Sequence, residues 1–411
     1  MNRKAAVAWV LYDFANSTFV AVIVSTVYSK YYALAVVGNE RGEGDFWWGL
    51  AVTTAMAIVA LSSPPLGAVA DYAGVRKRFM LLLTYLSVAA TALMATVGKG
   101  DVLWGWLLAV AAIVGFEAAI VYYNAYLPEV APPDRQGRLS AYGFAVGYVG
   151  SAVALGAALP FVQAKNFGGA FLTTSALFGL CAIPAFLYLP GDRAATLTLA
   201  RAVRVGFVQT QGTLRRIVGQ LPDVRRFLLA YLFYEDGINT VVYFSAIFAG
   251  HTLGFTDREV ILLFFVVQFS ALLGAWLWAR PTDYKGPKFV VSITLVQWCL
   301  VVVAAYFVQT KFQFFLVAVL AGTGLGAVQA ASRTFMATLI PTGQEAELFG
   351  FYALVGKTSA IFGPMVFGLA SWLTGGNQRI AIVVVGCLFV LGLLLLSAVR
   401  AGGPTVGRAE R

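Results

Sequence analysis

Long apolar runs, separated by short polar segments, follow one another from the beginning of the chain to its end. A helix that spans a bilayer needs about 20 consecutive, mostly apolar residues. The pattern therefore predicts an all-α integral membrane protein with about twelve transmembrane helices. The predicted helix centres are Val20, Ile58, Ser87, Ala112, Gly150, Leu180, Thr240, Val267, Val296, Val319, Ile361 and Val390.

The composition supports lipid as the main solvent of this chain. Of its 411 residues, 60% are hydrophobic and 12% are charged, whereas soluble domains carry about 25% charged residues. The three cysteines lie far apart in apolar runs, and the single histidine, His251, lies in a predicted loop. We expect no metal site and no cofactor, because protein metal sites need clustered His, Cys or carboxylate ligands.

Positive charge is distributed unevenly among the connecting segments. With the N-terminus placed inside, most of the 29 Lys and Arg residues fall in the inner segments. Cytoplasmic loops of membrane proteins carry such an excess. We therefore predict a multi-pass protein of the cell inner (plasma) membrane with both termini in the cytoplasm. The excess of Lys and Arg in the inner segments then explains the net charge of +10. We therefore expect no nucleic-acid partner.

Two polar patterns occur once in each half of the chain. The pattern Asp-x-x-Asn-(Ser/Thr) begins at Asp13 in the first predicted helix and at Asp236 in the seventh. A segment that reads Asp-Tyr-x-Gly begins at Asp71 after the second helix and at Asp283 after the eighth. Matches in the same order predict that six helices were duplicated, which gives two six-helix pseudo-repeats.

The two predicted halves, residues 1–190 and 224–411, are joined by the longest connection, residues 191–223. Apolar side chains recur in this connection at helical spacing among several arginines. The pattern predicts a basic amphipathic helix that lies on the inner leaflet of the membrane. A solvated linker is the alternative.

The segment GAVADYAGVRKR resembles the loop signature of the major facilitator superfamily. This resemblance implies the twelve-helix major facilitator fold, and it implies a gating role for the signature at the inner side of the membrane. The gating candidates are Gly67, Asp71, Gly74, Arg76 and Lys77.

A narrower resemblance covers nearly the whole chain. The segments WVLYDFANSTF, YYNAYLPEVAP, GRLSAYGFAVGYVG and LLAYLFYEDGINTV are similar to the family that contains the fungal vacuolar amino-acid effluxer of autophagy and its bacterial relatives. This resemblance implies a transporter, with efflux of amino acids as the expected activity.

Several ionisable residues lie inside predicted helices, where a charge is costly and marks a functional-site hypothesis. We expect a polar cavity between the two halves to hold the substrate and ion site. The alternative is that each acid pairs with a neighbour and only locks helices together. Glu235 is set aside, because it points about 100° away from Asp236 around the helix. The candidate residues are Asp13, Asn16, Glu117, Asn124, Asp236, Asn239, Tyr243, Gln329 and Lys357.

The predicted activity is secondary active transport of small solutes by alternating access, in the form of proton-coupled efflux of neutral amino acids. Asp236 is the first candidate for the proton carrier, and Glu117 is the second. The sequence contains no GxxxxGK(S/T) phosphate loop, so we expect no direct use of ATP. The expected partners are a small-molecule substrate, protons and membrane lipids, and we expect a monomer.

Three other functions are compatible with a membrane protein of this length. A lipid or lysolipid flippase of the same fold is the main alternative. A membrane-embedded enzyme would need a nucleophile with its base, or a metal constellation, and the sequence offers neither; we expect no enzymatic activity. A receptor or scaffold has no need for buried acids in both halves.

Overall fold

The structure is a computed structural model that describes residues 2–38, 43–192, 198–359, 366–367, 369–370, 373–374 and 378–400. Within these ranges the chain is helical and contains no strand. The α-helices there are α1 Arg3–Phe19, α2 Val27–Tyr31, α3 Glu43–Ala73, α4 Arg76–Leu93, α5 Val102–Ala125, α6 Leu127–Val130, α7 Gln136–Gln163, α8 Phe167–Tyr188, α9 Leu199–Gly219, α10 Pro222–Leu253, α11 Asp257–Tyr284, α12 Pro287–Phe307, α13 Lys311–Leu339, α14 Glu345–Thr358 and α15 Gln378–Ser397.

Ten segments of the described chain are long and apolar enough to cross a membrane. The helix is the form that such segments take in lipid, because it satisfies every backbone polar group internally. The first span joins α1 and α2 through π-helical turns. The ten spans are Arg3–Val37, Phe46–Ala73, Arg76–Thr96, Val102–Val130, Pro133–Gln163, Phe167–Tyr188, Leu262–Tyr284, Pro287–Phe307, Lys311–Leu339 and Gln378–Ser397.

Helix α10 carries the predicted centre at Thr240 but is not among these ten spans. Two adjacent acids, Glu235 and Asp236, lie in its middle and reduce its apolar character. Its 32 residues extend about 48 Å, which exceeds the ~30 Å thickness of a hydrocarbon core. The predicted centre at Ile361 lies outside the described residues. The all-helical membrane fold is thus confirmed for the described chain, while the number of twelve helices and the internal repeat stay predictions.

The helices form two compact units, and each unit draws on both halves of the sequence. The division of the sequence into two halves, residues 1–190 and 224–411, with a linker at residues 191–223, remains a prediction. Unit 1 contains Met1–Ala131, Val146–Thr210 and Gly343–Ala353, and unit 2 contains Pro132–Ala145, Gln211–Thr342 and Leu354–Arg411.

Aromatic side chains fill the interior of unit 1. Trp9 stacks on Tyr123 with 4.5 Å between ring centroids, and its indole Nε1 donates a hydrogen bond to the Tyr123 carbonyl oxygen at 3.0 Å. The Tyr12 hydroxyl lies 2.6 Å from the Thr84 hydroxyl. Each of these buried polar atoms has a partner, which removes the cost of an unsatisfied group in an apolar interior.

Unit 2 contains a close crossing of α11 and α13. A side chain at Gly326 would collide with the backbone of Ala271, so a small residue is needed where these helices meet. Trp298 and Phe389 stack with 5.4 Å between ring centroids and join α12 to α15. Small residues and aromatic stacking together account for the tight packing of this unit.

Polar side chains define the first turns of α11 and α13. Thr256 and Thr310 each form a capping box, with Glu259 and Gln313 as the reciprocal partners. Lys311 Nζ lies 2.7 Å from Glu259 Oε2. The hydrogen bond from Lys311, with help from Thr256, lowers the pKa of Glu259 to about 2. This carboxylate therefore stays ionised above that pH.

Each repeated Asp-Tyr-x-Gly segment begins in the last turn of a helix and finishes with a glycine of positive φ. Gly74, between α3 and α4, has a φ of 65°, and Gly286, between α11 and α12, has a φ of 87°. Glycine adopts this region without steric cost, unlike residues with a Cβ atom. Both segments therefore contain a position with positive φ that glycine fills.

Candidate functional site

A buried cluster in unit 1, which we call the Arg76 cluster, joins Arg76 to Asp71, Glu129 and Glu345. Arg76 Nη2 lies 2.7 Å from Asp71 Oδ1 and 3.0 Å from Glu345 Oε2, and Nη1 donates to the Glu129 carboxylate. The same Nη1 donates to the carbonyl oxygen of Ala125 at 3.2 Å. The side chains of Arg76, Asp71 and Glu345 are 7%, 4% and 5% exposed, so these charges lie in a medium where unpaired ions are costly.

The Arg76 cluster connects α3 and α4 to the first turn of α14. Asp71 Oδ2 accepts a hydrogen bond from the backbone N–H of Glu347 at 3.0 Å. That N–H belongs to the first turn of α14, where free donors and the helix dipole favour a carboxylate. A side chain at Gly67 would collide with the backbone of Ala346. The signature segment therefore binds a segment from the other half of the sequence.

Lys77, the last gating candidate, has separate partners within unit 1. Its backbone N–H donates to Asp192 Oδ1 at 2.7 Å, and its Nζ donates to the carbonyl oxygen of Leu189 at 2.8 Å. Asp192 also pairs with the exposed Arg78. Lys77 thus ties the start of α4 to the chain that follows α8.

Unit 2 contains a corresponding arrangement around Asp283. Its Oδ1 accepts from the backbone N–H of Arg138 at 3.1 Å, and its Oδ2 lies 2.5 Å from Arg138 Nε. Arg138 lies in the first turn of α7. The second Asp-Tyr-x-Gly segment therefore holds a helix N-terminus with its aspartate, as Asp71 does in unit 1.

A buried arginine of α13 supports that contact. Arg333 Nε and Nη2 donate to the Oγ and the carbonyl oxygen of Ser140 at 2.9 and 2.7 Å. The guanidinium also lies 4.3 Å from the centroid of the Phe144 ring. Neither Arg138 nor Arg333 was among the candidates predicted from the sequence. Their partners lie 145 and 193 positions away in the sequence, so no local pattern pointed to them.

An acid and an amide meet inside unit 2, in what we call the Glu235 site. Gln329 Nε2 of α13 donates to Glu235 Oε1 and Oε2 of α10 at 2.9 and 3.2 Å. Lys357 of α14 acts electrostatically on the same carboxyl group. The Glu235 residue is 8% exposed. Two candidates, Gln329 and Lys357, therefore converge on an acid that the sequence analysis set aside.

The other unit 2 candidates lie along the same stretch of α10. Asp236 is 2% exposed, and its carbonyl oxygen accepts from the Thr240 hydroxyl at 2.7 Å. Asn239 Nδ2 lies 3.5 Å from Ser359 Oγ, just beyond α14. The side chain of Tyr243 lies outside the described part of the chain. Asn239 follows Glu235 by four positions, which places the two on one helix face.

The unit 1 candidates lie on α1 and α5. Asn16 Nδ2 donates to Asp13 Oδ1 at 3.4 Å, and both residues are buried. Glu117 is half-buried on α5. Asn124, seven positions later, is buried and its Oδ1 has no hydrogen-bond partner within the described chain. The structure thus joins Asp13 to Asn16 and places Glu117 and Asn124 on a common helix face.

The sequence of the chain matches a known family over most of its length. The family model described as "Vacuole effluxer Atg22 like" matches residues 49–402. The chain belongs to this Atg22-like family. The family recognised from sequence segments is therefore confirmed, and the chain is a major facilitator (MFS) transporter.

Two relatives within this family show how far the likeness extends. The MFS-type transporter YxiO of Bacillus subtilis is 31% identical over 405 residues, which cover 95% of this chain and 94% of the relative. Autophagy-related protein 22 of Cryptococcus neoformans is 27% identical over 304 residues, which cover 67% of this chain and 54% of the relative. The chain thus matches about half the length of the fungal protein and nearly all of the bacterial one.

The fold of this Atg22-like protein is also that of a solved transporter. The crystal structure of the human organic anion transporter MFSD10 superposes with a TM-score of 0.77 at 16% identity, over 96% of this chain and 99% of that one. At this identity the likeness concerns the fold alone. The relatives are membrane transporters rather than enzymes.

Proposed function

We propose that this protein is a secondary active transporter that exports a small zwitterion, such as a neutral amino acid, by alternating access. The Glu235 site carries the proposal. A buried carboxylate and a lysine ammonium in one region offer opposite charges to the ammonium and carboxylate groups of a zwitterion. Gln329 adds an amide that donates to the Glu235 carboxylate. The description of the family as effluxers supports the outward direction.

The proposed energy source is the proton gradient. A carboxyl group can carry a proton only if it is exposed to both faces of the membrane in turn, and buried acids of transporters commonly serve this role. Asp236 remains the first candidate for the carrier, and Glu117 remains the second. Glu235 joins them, because it lies among the groups that would hold the substrate.

The proposed inner gate is the Arg76 cluster with its contact to α14. Its opening would break the hydrogen bond from the Glu347 N–H to Asp71 and the ion pair of Arg76 with Glu345. Alternating access requires that such contacts form and break in each cycle. The contact of Asp283 with the first turn of α7 would act in the same way.

Asp71→Asn tests this gate. Hydrogen bonds to a charged group contribute about 1.5–3 kcal/mol, so we expect the equilibrium constant between the closed and the open gate to fall about ten-fold or more. Transport should slow, and a single cysteine near the gate should become more accessible from the inside. Asp283→Asn is the matched variant in unit 2. Transport at the wild-type rate in a normally expressed Asp71→Asn protein would remove the gating role.

A second candidate, a lipid or lysolipid flippase, is favoured by an apolar cavity in unit 2. The cavity has a volume of about 90 Å³ and lies among α10, α11, α12, α13 and α15. Its walls are almost entirely apolar, with Phe244, Phe264 and Trp298 among them. An acyl chain would suit such walls better than a zwitterion would.

Ligand-induced thermal stabilisation of the purified protein separates the two candidates. A ligand that binds only the folded state raises the melting temperature, and the rise increases with ligand concentration relative to Kd. We expect neutral amino acids to stabilise the wild-type protein and to lose this effect in Glu235→Gln. Glu259→Gln, at the half-buried acid of the first turn of α11, is the matched control. Stabilisation by single-chain lipids together with indifference to amino acids would favour the flippase and exclude the amino-acid proposal.

We propose that the protein lies in the plasma membrane. In the proposed orientation both termini are in the cytoplasm. Single cysteines at Lys99 and Gly191, both exposed, report on opposite sides. With Cys181, Cys299 and Cys387 replaced by serine, an impermeant maleimide should label position 99 in intact cells. It should reach position 191 only after permeabilisation. The reverse pattern would show that the orientation is inverted.

A further inference from the structure

Helix α9, Leu199–Gly219, divides into sectors when its residues are placed at about 100° per position. Gly206, Thr213 and Ile217 fall on one side and are buried. A side chain at Gly206 would press against Val69 of α3. One side of α9 is therefore committed to packing within the protein.

A second sector of α9 is apolar but exposed. Leu214 and Val218 are 50% and 53% exposed, and they lie about 60–100° around the helix from Ile217. The apolar arc of α9 is thus wider than the protein covers. A helix bathed only in water would leave this arc unfavourably hydrated.

A third sector of α9 is basic. Arg201, Arg204 and Arg215 are exposed, and they follow the apolar exposed sector around the helix. None of the three forms an ion pair with a described carboxylate. Their charges are available to an anionic partner outside the chain.

We infer that α9 docks on the surface of an anionic phospholipid bilayer. Leu214 and Val218 lie at the boundary of the acyl chains, and the three arginines lie against phosphate headgroups. An apolar arc bordered by arginines on its solvent side is an arrangement that holds a helix in the plane of the membrane interface. Juxtamembrane basic residues are attracted by anionic lipids in addition. This inference is independent of the proposed substrate.

Site-directed fluorescence tests the orientation of α9. Single cysteines at Leu214, Val218 and Val208 are labelled with bimane in protein whose native cysteines are serine, and the protein is reconstituted in phosphatidylglycerol vesicles. Val208 is the matched control, because it is 72% exposed but falls in the basic sector. Lipids with brominated acyl chains should quench positions 214 and 218 several-fold more than position 208. Aqueous iodide should show the opposite order. Strong iodide quenching at all three positions, with none by brominated lipid, would overturn the inference.

The charge dependence is tested with the double variant Arg204→Gln/Arg215→Gln. In wild-type protein we expect brominated-lipid quenching at position 214 to fall several-fold when phosphatidylcholine replaces phosphatidylglycerol. The double variant should give the same low quenching in both lipids. Lys99→Gln/Lys165→Gln, which removes the same charge elsewhere, should behave as wild type. Equal quenching of wild-type protein in both lipids, or the same loss in the lysine control, would overturn the role of the arginines.

Discussion

Arg76→Gln is expected to destabilise the folded protein by about 3–5 kcal/mol and to abolish transport. The guanidinium is the positive partner of Asp71, Glu129 and Glu345, and it is almost completely buried. Its loss leaves three carboxylates close together without the charge that offsets their desolvation. A melting curve of the purified protein, followed by size exclusion, measures the effect.

Arg78→Gln is the matched control for this variant, two positions along the same helix. The Arg78 side chain is 76% exposed and lies 3.2 Å from Asp192. Exposed ion pairs contribute about 0–1 kcal/mol, so the melting temperature should hardly change. Equal effects of the Arg76 and Arg78 substitutions would show that the Arg76 cluster does not stabilise this end of unit 1.

Asp236→Asn is expected to keep substrate exchange and to lose proton-driven accumulation. Asparagine preserves the size and the hydrogen-bonding capacity of the side chain, but it cannot take up and release a proton at physiological pH. Exchange needs only substrate binding and movement between the two faces, whereas accumulation needs the coupling ion. Both are measured on the same proteoliposomes, with and without a pH gradient.

Glu235→Gln separates coupling from structure. If Asp236 served only as a structural partner, Asp236→Asn would lower the melting temperature and would reduce exchange as well. In Asp236→Asn, the Glu235 carboxylate remains and Lys357 still acts on it. In Glu235→Gln, the site loses the carboxylate that is proposed to bind the ammonium group of the substrate. Glu235→Gln should therefore reduce exchange itself. Gradient-driven uptake at the wild-type level in folded Asp236→Asn would exclude this residue as the proton carrier and would make Glu117→Gln the next variant.

The fold was the part that the hydrophobic pattern could predict. Lipid imposes a minimum length and an apolar character on each span, and ten predicted centres fall in such spans. Helix α10 is the instructive exception. Glu235 and Asp236 make it less apolar than its neighbours, although the apolar pattern predicted a helix centre at Thr240 and the repeat of the Asp-x-x-Asn pattern supported that prediction.

The partners of the polar residues were much harder to predict. Periodicity places Glu235 and Asp236 about 100° apart, but it does not say which of them faces α13. Tertiary packing makes that choice, and it brings Gln329 to Glu235. The carboxylates around Arg76 come from segments as far apart in sequence as Asp71 and Glu345. No local pattern links positions separated in this way.

Counterflow in proteoliposomes tests the central claim most directly. Vesicles loaded with an unlabelled neutral amino acid are diluted into a trace of the labelled one, without any ion gradient. Transient accumulation of label inside the vesicles is the predicted result for wild-type protein. The accumulation should be strongly reduced in Glu235→Gln and should be unchanged in Glu259→Gln. Absence of counterflow for every neutral amino acid, in vesicles that contain folded protein, would contradict the account.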